Sequence, residues 1–478
     1  MRVAWIVICL FLVGCGGSSS GDSGGGSDPG DGGDNGSNMP GTPAPDPDVR
    51  LNSSPAGSAL SLFPAMVSNG QKLFVTWYDQ RNGELDVFFN RSLDGGDTWL
   101  SSDIRLDSGS AGTAGSLLPQ ICTGGNAVYV AWHDRRNGKD DVYFNRSLDN
   151  GATWLASDIR INTNSPGGSN SRNVSLCCDG VRVYIAWQDD RSGTWDIYAS
   201  RSLDNGATWL GSDLRVDGDT TSASQRFPAL GCNGNNVFCT WNDTRSGGTG
   251  IRIKRSLDGG ASWETTETVL DDADAAGIPR IAVSGQNIHV VWGDVRSDLP
   301  EIRYNRSTNT GVDWLASDIR VDNSTGGATN PSIDASENDF YVAWQDTRDG
   351  EADVYVQRTR DFGATWLTND ARMDLDPAGL SASWAPSICA MQQDVHVVWM
   401  DDRNGSFDIF SRYSGDRAET WSSPEIRMDT NAAGSAQSVA PAAACLGTRV
   451  GVCYMDGRNS DGGEADIYFN RMGYPIDG

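Results

Sequence analysis

Residues Arg146–Arg160 read RSLDNGATWLASDIR, and nearly the same residues stand 55 positions earlier at Arg91–Arg105 (RSLDGGDTWLSSDIR) and 55 positions later at Arg201–Arg215 (RSLDNGATWLGSDLR). Working outward, the tryptophan of this stretch recurs at Trp99, Trp154, Trp209, Trp263, Trp314, Trp366 and Trp421, at spacings of 55, 55, 54, 51, 52 and 55. A second signature precedes each: WYDQR at 77, WHDRR at 132, WQDDR at 187, WNDTR at 241, WGDVR at 292, WQDTR at 344 and WMDDR at 399, with YMDGR at 454 as an eighth. A period of about 50 residues held this long identifies a repeat architecture, here of eight units.

Each unit divides into four short apolar runs. In the second they are PQICT from Pro119, NAVYVAWHD from Asn126, DVYFNRS from Asp141 and a segment of the SDIRLD type. Val, Ile, Tyr and Phe mark strands, and Gly, Asn and Asp clusters interrupt them. No window carries a helical period. Eight consecutive four-stranded units predict an all-β chain folded as an eight-bladed β-propeller, each blade packed between two others. The eighth unit ends at DIYFNRM without an outer strand, while DVRLN at 48–52 matches DIRLD and stands before the first unit. The N-terminal strand is therefore expected to complete the last blade and close the ring, removing the open sheet edge.

The unit S-x-D-x-G-x-T-W resembles the Asp-box, the repeat of the bacterial neuraminidases. It is complete at Ser92–Trp99, Ser147–Trp154 and Ser202–Trp209, and altered at Ser262, at Asn309 and Asp313, at Thr359 and at Ala418. Asp and Ser side chains replace ladder bonds lost at a turn, glycine supplies positive φ, and the Trp covers apolar surface. None of this needs a reactive group, so the turn reads as scaffold. The W-x-D-x-R pairs, including Asp189/Arg191 and Asp243/Arg245, fall at the opposite end, where strand two turns into strand three. An acid follows most of them by five residues, among them Asp196. Charge-assisted hydrogen bonds within and between hairpins account for the set.

The ends and the composition set other bounds. Arg2, an apolar run from Val3 to Val13 and Gly14-Cys15 read as an export signal, too short to span a bilayer. LVGC resembles the bacterial lipoprotein signal, which implies that Cys15 carries a lipid; Gly16 after it implies the outer membrane. The predicted organisation is a signal at 1–14, a Gly/Ser/Asp/Pro tether at 15–47 too polar to fold, and the propeller at 48–478. Such a tether spans roughly 30 Å. A net charge of −26 with three lysines argues against nucleic acid as a partner. Eight cysteines beyond Cys15 stand in an export context that permits disulfides. Cys232/Cys239 and Cys445/Cys453 are each placed to bridge a hairpin, and Cys122 to reach Cys177 or Cys178. Three histidines without shared spacing argue against zinc. No cofactor is expected; a structural calcium in DDADAAG at 271–277 or DLDPAG at 374–379 is the one open option.

If repeated residues are scaffold, recognition belongs where the repeat breaks. Two positions before the first-strand proline, on the expected axial mouth, the units carry Leu62, Leu117, Arg172, Arg226, Gly277, Thr329, Trp384 and Val439. Paired arginines grip a carboxylate and a tryptophan stacks on a sugar ring. Residues 226–263 resemble the first blade of the sialidase family in order and spacing. The resemblance implies that Arg226 and Arg245 hold a carboxylate, but Gly250 stands where that family has its acid. Blade three offers Arg172, Arg191 and Asp196 with RNV for R-I-P, which makes Asp196 the candidate acid. Sialidases have six blades, and fold does not carry function with it. The sequence therefore predicts a membrane-anchored, extracytoplasmic and monomeric propeller that binds a glycan or protein ligand. An exo-glycosidase of the sialidase type acting on an acidic sugar, and a polysaccharide lyase, remain as alternatives.

Overall fold

The computed structural model describes residues 45–473, apart from 246, 272, 274, 461 and 462. Cys15 and most of the expected tether lie outside the described residues. Eight four-stranded antiparallel sheets follow one another, and no helix occurs among the described residues. The innermost strands are Ser61–Asn69, Ser116–Gly124, Ser171–Asp179, Gln225–Asn233, Arg280–Ser284, Ala328–Ser336, Ser383–Met391 and Ser438–Cys445, which number the blades 1 to 8. Seven blades run inside to outside in chain order. In the eighth the outermost strand is Val49–Arg50, pairing with Asp466–Gly473 through Val49↔Phe469 and Arg50↔Tyr468. The ring is an eight-bladed β-propeller closed by its N-terminal strand.

The repeated apolar residues form seams between blades rather than one central core. The signature tryptophans Trp77, Trp132, Trp187, Trp241, Trp292, Trp344 and Trp399 are fully buried. One seam joins Tyr129 and Phe144 of blade 2 to Val183, Ile185 and Trp187 of blade 3. The second repeated tryptophan reaches backwards: Trp154 meets Phe89 of blade 1 edge-on at 4.8 Å and Trp209 meets Phe144 of blade 2 at 4.9 Å. Within the turn, Asp94 accepts bonds from Ser92 Oγ (2.7 Å), Thr98 N (2.9 Å) and Thr98 Oγ1, while Gly96 N donates to Ser92 Oγ (2.8 Å). Its side chain and backbone are thus satisfied locally, as a scaffold turn requires.

Cys122 pairs with Cys178, one of the two partners expected for it, whereas neither expected hairpin bridge forms. The bonds are Cys122–Cys178, Cys177–Cys232 and Cys389–Cys445, spanning 56, 55 and 56 residues. All three join innermost strands of successive blades. Register explains the difference: Cys232 lies opposite Val237 and Cys239 opposite Leu230, while Cys445 faces Val450 and Cys453 faces Ala442. Cys239 and Cys453 are left as buried free thiols.

Candidate functional site

The eight innermost strands enclose an axial cavity of about 180 Å³. Seven of them carry the same β-bulge, whose residue lies in the left-handed region: Phe63, Leu118, Asn173, Phe227, Asn330, Ala385 and Ala440, all at φ between 45° and 54°. The bulge residues of blades 1 to 4 line the cavity, and the residue before each pairs with strand two near the end where strand two meets strand three; we call this end the mouth and that residue the rim position. Blade 5 lacks the bulge, its inner strand starting only at Arg280.

The next blade's bulge is fixed by the strand-two residue opposite the rim position. Gln188 Oε1 accepts from Asn173 Nδ2 (2.9 Å) and from Phe227 N (3.0 Å), joining blade 3 to blade 4. Gln345 Oε1 takes Ala385 N at 3.2 Å, and Met455 Sδ takes Phe63 N at 3.3 Å. Arg172 and Arg226 therefore stand on equivalent rim positions of two blades tied through Gln188.

Arg172 is held rather than loose. Its guanidinium lies 3.3 Å from Asp140 of blade 2 and 4.9 Å above the Trp195 ring of its own blade, with about a third of the side chain exposed. Arg135 grips the other oxygen of Asp140 at 2.8 Å. Beneath them His133 is fully enclosed, and burial holds its imidazole down to about 4, so it stays neutral. Trp195 also fixes the neighbouring strand, its carbonyl accepting from Gln225 N at 2.7 Å. Arg226, the next residue of that strand, is exposed. Arg280, the residue after the first-strand proline of blade 5, lines the axial cavity itself. Blades 3, 4 and 5 each contribute an arginine that the other units lack.

The opposite arc of the rim is apolar. Trp384 is half-buried against Phe407 at 5.5 Å and shares a cluster with Met400 and Val439. On blade 1, Phe63 stacks on Tyr78 at 5.9 Å. The ring's mouth is cationic and hydrogen-bonding on one side and aromatic on the other.

The remaining expected site residues belong to the scaffold. Arg191 is occupied by Asp189 and Asp213 (2.6 Å each) and lies 4.0 Å over Tyr198. Arg245 is held by Asp243 (2.5 Å) and Glu267 (2.8 Å). The same bracket of strand-two Asp, Arg and outer-strand acid recurs at Arg81, Arg136 and Arg348. Asp196 is buried, accepts from Ser192 Oγ and pairs with Arg215 at 2.6 Å; burial raises its carboxyl. Its counterparts Asp86, Asp141, Asp353 and Asp466 hold Arg105, Arg160, Arg372 and Arg50 in the same way. A carboxyl turned into the blade and saturated with donors is not presented to a ligand.

The calcium option meets a similar obstacle. Carboxylate oxygens of Asp353, Asp374 and Asp376 lie within 4.8 Å of one another. Arg372, however, reaches all three at 3.0, 2.7 and 3.1 Å, so a guanidinium already supplies the positive charge. In two other blades Asn52 and Asn162 stand where Asp374 does and cap the same backbone N–H. The bracket works without the charge a cation would need. In the other acidic loop, Asp271 is paired with Arg296 at 2.5 Å.

No family model matches the sequence, and no curated protein matches it. Solved structures do resemble this chain. The α-L-arabinofuranosidase of Fusarium graminearum bound to arabinobiose is 15% identical, with 66% of this chain and 98% of that one covered and a TM-score of 0.42. The polysaccharide lyase Uly1 is 10% identical over 74% and 89% of the two chains, at 0.44. The NanB sialidase of Streptococcus pneumoniae, as its K499G mutant, is 12% identical over 89% and 70%, at 0.38. The likeness is one of fold.

Proposed function

We propose that the protein is an exported, monomeric, lipid-anchored propeller that binds an acidic glycan at its axial mouth. The observation that carries this reading is the off-repeat cluster Asp140–Arg172–Trp195, with Arg226 on the adjoining rim position and Arg280 in the cavity wall. A guanidinium pinned by one carboxylate and an indole keeps its remaining N–H groups aimed, which favours a carboxylate ligand. Aromatic faces at Trp195 and Trp384 suit the apolar face of a sugar ring. The chain's surplus of negative charge makes this cationic arc a local exception, able to select acidic groups against the general field. Binding is favoured over hydrolysis because Asp196 is turned into its blade. The anchor at Cys15 and the outer-membrane location are part of the same proposal and rest on the leader sequence.

A glycan array probed with the purified chain and with Arg172→Ala/Arg226→Ala tests the proposal. Binding confined to uronate- or sialate-bearing glycans, weakened at least tenfold in the double variant, is the expected result. Hits confined to neutral glycans, or unchanged binding in the variant, would refute it. Parallel incubation with fluorogenic glycosides and polyuronates reads out turnover, and steady product release would replace binding by the glycosidase or lyase reading.

A further inference from the structure

The face opposite the mouth carries the S-x-D turns, and it is not uniform around the ring. At the residue after the turn's first serine, blades 1 to 4 present Leu93, Leu148, Leu203 and Leu257, which are 46%, 51%, 46% and 51% exposed. In blade 5 the turn presents Val312, 61% exposed. Blades 6 and 7 have Arg360 and Gly415 at the leucine position, with Glu419 close by and paired to Arg360 at 3.0 Å. About half of each leucine at this repeated position is open to water. Single exposed leucines are ordinary; a run confined to consecutive blades on one face is not.

Where the chain enters the ring gives this arc an occupant. In blade 8 Met472 stands where the other turns have their first serine or threonine. The N-terminal segment lies beside it: Asp46 N donates to Arg471 O (3.3 Å) and the Asp46 carboxylate pairs with Arg471 at 2.6 Å. Arg471 also bonds Gly95 O at 2.7 Å and pairs with Asp97, both in the turn of blade 1 that carries Leu93. Pro45, the first described residue, therefore lies at this face, at one end of the apolar arc. The tether proposed for residues 16–44, with its expected span of roughly 30 Å, would join this point to the proposed anchor at Cys15.

We infer that the S-x-D face of blades 1 to 5 lies against the phospholipid surface to which the chain is anchored, turning the mouth towards the medium. The inference rests on the proposed anchor. Asp94, Asp149, Asp204 and Asp258 flank the leucines and are bonded within their own turns, so the contact is shallow and suits zwitterionic better than anionic headgroups.

The test uses the full lipidated chain in phosphatidylcholine vesicles, with an environment-sensitive fluorophore on Leu148→Cys or on Lys139→Cys, which lies on the mouth face of the same blade. The native free thiols are buried and do not compete for label. The label at 148 is expected to shift to the blue and to be quenched severalfold by nitroxide lipids, and the label at 139 to behave as in water. Equal behaviour at the two positions overturns the inference. Palmitate incorporation in wild type against Cys15→Ser reports the anchor separately. A lipidated chain whose 148 label stays wet overturns the docking alone, and an unlipidated chain whose 148 label still shifts overturns the anchor and keeps the docking.

Discussion

Removal of one inter-blade disulfide, through Cys177→Ala with Cys232→Ala, has a calculable effect. The bond closes 55 residues, and the chain-entropy relation values such a cross-link at about 4 kcal/mol at 25 °C. For a folded part of about 430 residues the unfolding entropy is about 900 cal/mol/K, so Tm falls by about 4–5 °C. A hairpin bridge from Cys232 to Cys239 would close only a few residues and be worth about 2.5 kcal/mol. Calorimetry of wild type and double variant at a fixed scan rate measures the loss. Non-reducing peptide mapping of the variant checks the pairing, because Cys122–Cys178 then remains without the adjacent Cys177 to confuse it. Recovery of a Cys232–Cys239 peptide from wild type, or a variant that melts with wild type, would refute the inter-blade assignment.

Other outcomes follow from the same structure. Gly206→Ala places a methyl within 2.6 Å of Phe144 of the preceding blade at φ +74°, and is expected to cost about 2–3 kcal/mol by thermal melting. Stability should peak on the acid side. Burial lifts Asp107, Asp271 and Asp429 to about 6 and Asp334 and Asp374 to about 7, above their unfolded values, so the native state binds extra protons between pH 4 and 7 and loses stability as pH rises through that range. Asp94, Asp149 and Asp361 are held near 2 mainly by hydrogen bonds within their turns; their stabilisation is present above pH 4 and disappears as pH falls towards 2. Tm measured from pH 3 to 8 should therefore be highest near pH 4–5. Asp374→Asn, imitating Asn52 and Asn162, should leave Tm at pH 5 within about 1 °C of wild type and flatten its fall towards pH 8.

The fold was legible because its signals are periodic. Eight copies of one strand pattern and a spare DVRLN segment define blade number and ring closure without any three-dimensional information. The bracket roles of Arg191, Arg245 and Asp196 were also readable in principle, since each has equivalents in other units, but a resemblance to a catalytic blade singled them out. The disulfides carried a signal of the same kind: partners lie one repeat apart, at 56, 55 and 56 residues, whereas proximity in sequence pointed to hairpins whose register keeps those cysteines from facing each other. Within the mouth, the column that yielded Arg172 and Arg226 missed Trp195, Asp140 and Arg280. The first two precede strand three, and Arg280 follows the proline instead of preceding it. Asp140 and Trp195 meet Arg172 only through contacts between hairpins, and Arg280 opens an inner strand that lacks the bulge of the others, features that no single-strand pattern displays.

The short strand Val49–Arg50 also fixes how the ring resists mechanical force. A pull through the N-terminal segment runs along the axis of that strand and its antiparallel partner, so its bonds to Asp466–Gly473 are sheared together instead of opened one by one. Arg50 and Asn52 on Asp466, Asp48 on Arg458 and Asp46 on Arg471 share the load. Tension that would peel an outer hairpin from an open array is here spread across the first and last segments of the chain, and through Arg471 into blade 1.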